Sequence, residues 1–139
     1  MVGGSLPRRP KGGESEKLTL NLGYVDLGHV DLLVQDGFYA NRSDFIRTAI
    51  RNQLDRHADV LKRSTERQGL DLGLRHYDRA TLEAARDRGE VLHINVLGLL
   101  SIADDVSPEL AREAIASVTV LGALAASPAV KAALRDRMR

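Results

Sequence analysis

Residues 17–22, Lys-Leu-Thr-Leu-Asn-Leu, alternate strictly between polar and apolar side chains, and no second alternating run follows before Gly69. Period-two alternation predicts one short β-strand, with Leu18, Leu20 and Leu22 on one face, Lys17, Thr19 and Asn21 on the other, and Gly23 ending it. From Asp26 to Gln35, Leu27, Val30, Leu33 and Val34 recur at three- and four-residue spacings, the stripe of a short helix that Asp36-Gly37 stops. Asn41-Arg42-Ser43-Asp44 reads as the start of a second helix, Asn41 capping the free amides and Asp44 complementing the positive helix end. Its apolar stripe is Phe45, Ile46, Ala49, Ile50 and Leu54, while Arg47, Arg51 and Arg56 point elsewhere.

A strand and two helices in roughly 40 residues is near the size below which a chain rarely buries enough surface to fold alone. A lone strand also leaves both edges unpaired. The least costly repair is for two copies to pair their strands antiparallel and pool their helices. The expectation is therefore an obligate, intertwined dimer, with Leu18, Leu20, Leu22, Phe45, Ile46 and Ile50 in its core.

Residues 1–16 hold Gly, Pro, Arg8, Arg9 and Lys11 without an apolar run, which predicts a disordered basic arm rather than a secretory signal or an anchor. Later apolar stretches are interrupted by Asn95, Ser101 and Asp104, so no membrane span is expected. With no cysteine, disulfides, thiolate nucleophiles and cysteine-type zinc sites are excluded, and a cytoplasmic location is comfortable. Aromatic residues make up 4% of the chain and none is Trp, too few for a platform that stacks single-stranded bases. The net charge of +1 says nothing about polyanions. Locally, the chain carries 10 basic and 8 acidic residues up to Arg63, and 10 and 11 after it, so the first half is mildly cationic.

After His57 the helical pattern continues through Val60 and Leu61, and Gly69 to Gly73 breaks it. Residues 17–63 are thus expected as the first domain, 64–77 as a linker and 78–139 as a second domain. The second opens with a helix over Asp78 to Arg88 and then carries an internal repeat. Val96-Leu97-Gly98-Leu99-Leu100 precedes Ser107-Pro108, and Val120-Leu121-Gly122-Ala123-Leu124 precedes Ser127-Pro128. Each copy reads as an extended apolar run, a turn, and a helix start with Ser at the cap and Pro in the first turn. Ala103 to Val106 looks like an insertion. A small strand/helix repeat layer serving oligomerisation or partner binding follows. Asp104-Asp105, His93, Asp78 and His76 are the clustered titratable groups. Turn chemistry explains the Asp pair, and no ligand spacing is present, so neither catalysis nor a metal is expected.

The first ordered segment resembles the ribbon-helix-helix superfamily of DNA-binding proteins, the CopG/MetJ/Arc group. The resemblance rests on Lys17 to Leu22, the helix from Asp26, and Gly37-Phe38-Tyr39-Ala40-Asn41-Arg42-Ser43-Asp44-Phe45-Ile46-Arg47 in that order. It covers about 40 of the 139 residues and implies an N-terminal ribbon-helix-helix, one strand and two helices per subunit, which with the C-terminal strand/helix repeat domain read above makes an α+β chain. It also implies a transcriptional regulator acting as a repressor, working without cofactor or evident small-molecule effector. A two-stranded antiparallel ribbon fits the major groove, so Lys17, Thr19 and Asn21 become the base-contacting residues. The start of the second helix, Asn41, Arg42 and Ser43, meets a phosphate, extended by Arg47, while Arg8 and Arg9 track the backbone. The implied partners are an operator duplex in the nucleoid and further copies of the chain, as a homodimer or a higher oligomer. An antitoxin, or an architectural protein coating DNA through its C-terminal domain, are the rival readings.

Overall fold

A computed structural model describes residues 15–139. They divide into two compact units, residues 17–67 and 68–139. The arm expected over residues 1–16, with Arg8 and Arg9, lies almost wholly outside the described residues.

In the first unit, helix α1 (Tyr24–Gln35) begins two residues earlier than the apolar spacing predicts. Helix α2 (Arg42–Arg56) follows the turn at Gly37, whose φ of 87° lets the amides of Gly37 and Phe38 close on the carbonyls of Val34 and Leu33. Helix α3 (Ala58–Gln68) continues after a break at His57. None of residues 17–22 is helical, and among the described residues they form no ladder.

The second unit is a parallel three-stranded sheet in the order β1-β2-β3, made of β1 (Asp71–Tyr77), β2 (Leu92–Ile102) and β3 (Ile115–Ala125). Parallel neighbours need crossovers, supplied by α4 (Arg79–Asp87) and α5 (Pro108–Ala114), with α6 (Pro128–Ala133) after β3. Each helix is capped by the residue before it. Asp78 accepts from the Thr81 amide at 2.8 Å, Ser107 from Leu110 at 3.0 Å and Ser127 from Val130 at 3.2 Å. Pro108 and Pro128 occupy first-turn positions, where the missing N–H costs nothing.

The linker expected over residues 64–77 is corrected by this arrangement. Helix α3 runs to Gln68, and Asp71–Tyr77 is a full strand paired along its length with β2. Gly73, read as a chain breaker, instead occupies a fixed place in a strand: Gly73, Gly98 and Gly122 lie in one register across the sheet, with φ of 112°, 141° and 123°.

The core lies on one face of that sheet. Ile94, Val96, Leu100 and Ile102 of β2 and Val118 of β3 alternate inward against Leu82 of α4, Leu110, Ala111 and Ala114 of α5, Val130 of α6 and Leu134. The chain end is fastened to the same unit. The Arg137 guanidinium donates to the carbonyls of Arg112 and Ile115, and the Arg139 amide donates to Val118 at 2.8 Å, which covers part of the outer edge of β3.

Candidate nucleic-acid interface

Within the first unit, a single apolar side chain is buried, Val30 at 6% exposure. Leu18, Leu20, Leu22, Tyr24, Val25, Leu32, Phe38, Ile50, Leu54, Val60 and Leu61 are all exposed, Leu18 to 75%. Soluble chains rarely leave so much apolar surface uncovered. Of the residues expected in a dimer core, Phe45 and Ile46 are half-buried within the single chain, while Ile50 and the three leucines stay open. Lys17, Thr19 and Asn21 are exposed as well.

The start of α2 is built from three interlocking contacts. Asn41, in extended backbone, accepts from the Asp44 amide at 2.8 Å, and the Asp44 carboxylate accepts from the Ala40 amide at 2.9 Å. This is the reciprocal cap anticipated from the sequence, with Asp44 reaching one residue further back than Asn41. Arg42 then donates through Nε and one Nη to the two oxygens of Asp31 on α1, at 2.7 and 2.8 Å. That fork ties α1 to α2. The hydrogen bond from Arg42, and secondarily its charge, holds the Asp31 carboxyl below the usual carboxylate range, and the same bond pushes the Arg42 guanidinium up. Behind it, the rings of Tyr39 and Phe45 meet edge to face, 5.0 Å apart at 87°.

Asn41, Arg42 and Ser43 therefore stand together at one helix end, where the first amides lack helical acceptors. Arg47, one turn on, is exposed on α2. Sequence reasoning missed Asp31, eleven residues upstream of Arg42, because no local spacing announces a contact between helices.

The titratable candidates of the second unit do not assemble. His76 faces Ser101 at 3.0 Å, His93 faces Ser117 at 2.9 Å, and Asp105 lies near Arg79 at 4.0 Å. The Asp78 carboxyl is held low chiefly by the Thr81 backbone amide it caps. Among the described residues no cluster of His, Cys, Asp and Glu could hold a metal ion, and no helix is long and apolar enough to cross a membrane.

A family model described as the ribbon-helix-helix transcriptional regulator family matches residues 13–131, spanning both units. No curated protein and no solved structure matches the chain.

Proposed function

The chain belongs to the ribbon-helix-helix transcriptional regulator family, and from that premise we propose that it is a sequence-specific repressor whose antiparallel two-chain ribbon reads the major groove. The observation that carries the reading is the first unit itself: one buried apolar residue against eleven exposed ones is half of a core. A second copy supplies the missing half. Leu18, Leu20 and Leu22 of both chains turn onto the pooled helices, and the opposite row faces the duplex.

In that arrangement Lys17 donates to guanine acceptors, Asn21 pairs with adenine through its donor and acceptor, and Thr19 bonds a base or touches a thymine methyl. Asn41, Ser43 and the open amides of α2 take a phosphate, with Arg47 beside it. Arg42 keeps one Nη group for that phosphate while Asp31 fixes its orientation. Arg8 and Arg9 add salt-sensitive backbone attraction. Such a protein binds rather than catalyses, and works in the cytoplasm on the nucleoid.

Two observations favour the repressor over its rivals. The second unit has its own packed core, whereas an antitoxin typically presents a segment that orders on its toxin. The outer edge of β3 is partly covered by Met138 and Arg139, which opposes open-ended stacking along DNA. Selection of bound duplexes from a random-sequence pool, followed by footprinting, tests the proposal. It should yield an inverted repeat whose two half-sites match the two-fold symmetry of the dimer; recovery of unrelated sequences would overturn it.

A further inference from the structure

Among the described residues, nothing of the second unit covers one face of its sheet. On the side away from α4, α5 and α6, Leu72, Leu97 and Leu121 stand in one register row, and Leu74, Leu99 and Ala123 in the next. Leu72 is 75% exposed, Leu74 60% and Leu121 51%. Parallel sheets are ordinarily covered on both faces, because crossover helices or a partner bury them. Here the described helices α4, α5 and α6 lie on one side, and no described residue covers the other.

We infer that this bare face is a second self-association surface, on which the C-terminal units of two chains in the ribbon dimer pack sheet to sheet. Three features select a second copy as the occupant. The rows that face outward carry no carboxylate, lysine or arginine, flanking His76, Ser101, Asn95 and Thr119 included, so two identical faces meet without like-charge repulsion. The leucines are arranged about the central strand β2, with β1 and β3 at either side, so the patch can meet itself across a two-fold axis. The area is decisive. With strands about 4.8 Å apart and a rise of about 3.3 Å per residue, the face measures on the order of 400 Å². A free-standing dimer buries about 800 Å² per partner. The patch is too small to bring two chains together from dilute solution, and large enough to close once another contact has tethered them at high effective concentration. The family's dimeric N-terminal unit is that tether, so the inference rests on the ribbon pairing.

The test uses the full chain carrying Leu72→Glu with Leu121→Glu. Both side chains are more than half exposed, so the unit retains its fold, which far-UV circular dichroism verifies. Dimer dissociation is then followed by dilution with labelled protein. The double variant is expected to dissociate at a protein concentration on the order of tenfold or more above the native chain. A second variant reads proximity: Leu97→Cys, the chain's sole cysteine, should be joined into a covalent dimer by a short bis-maleimide, whereas Lys131→Cys on α6 should not. An unchanged dissociation concentration, with no cross-link at residue 97, would overturn the inference and leave the face to another occupant, such as the chain's own first unit or an unrelated protein. A native chain already monomeric at micromolar concentration would instead strike at the ribbon pairing, which separates the two failures.

Discussion

The carbonyl oxygen of Gly73 occupies the place that a Cβ on Gly98 would need, and the carbonyl of Gly98 stands in the same relation to Gly122. Three parallel strands thus share one backbone shape at one register, each glycine with a positive φ that L side chains rarely adopt. The close approach holds at one register, and the rows on either side of the glycines, Leu72-Leu97-Leu121 and Leu74-Leu99-Ala123, face away from the helices.

Alanine at these positions should therefore have unequal effects. Gly98→Ala and Gly122→Ala each force a Cβ into a neighbouring backbone as well as straining φ, and are expected to lower stability by at least about 1–3 kcal/mol. Gly73→Ala meets open space and carries the φ strain alone, so it should cost less. Urea unfolding of the three variants measures this. Equal losses would contradict the stacked column.

The fork between Asp31 and Arg42 should make the first unit sensitive to acid. Because folding lowers the Asp31 carboxyl, the pair stabilises fully above the ordinary carboxylate range and loses that contribution as pH falls through the lowered value. Asp31→Asn should reduce the stability of the native chain at neutral pH and flatten its decline on acidification. High salt should shrink the difference, since both partners are about half exposed. Parallel pH profiles of the two proteins, taken from thermal melts, would show that the pair does not couple to folding.

Asn41 holds two roles that substitution separates. Asn41→Ala removes the cap acceptor and should cost about 1 kcal/mol of stability. Asn41→Asp retains the acceptor but sets a negative charge where a phosphate is proposed, so stability should hold while DNA affinity drops on the order of tenfold. Melting curves beside a binding titration distinguish the two. Full DNA affinity in Asn41→Asp would remove the phosphate from this helix end.

Local signals carried much of the first unit. Asn41 and Asp44 announce their cap by spacing alone, and Gly37 its turn, because both depend on bonds within a few residues. Asp31 was invisible for the opposite reason: its contact with Arg42 depends on how two helices meet. The misreading of residues 64–77 has a similar cause. Gly73 looks like a break in isolation, and only the shared Leu-Gly motif at residues 72–73, 97–98 and 121–122 marks it as the first of three aligned strand positions. The exposure of Leu72 and Leu74 was equally beyond sequence, since an apolar alternation does not say which face a helix covers.

In the proposed complex Thr19 and Asn21 read base edges from a strand completed by a second chain. Binding of a Thr19→Ala plus Asn21→Ala double variant, measured in parallel on the selected operator and on a scrambled duplex, tests it most directly. Each lost base contact is worth about 1–3 kcal/mol, so the preference for the operator should collapse while dimer mass, melting temperature and affinity for the scrambled duplex persist. A double variant that still discriminates as the native chain does would contradict base reading by Thr19 and Asn21.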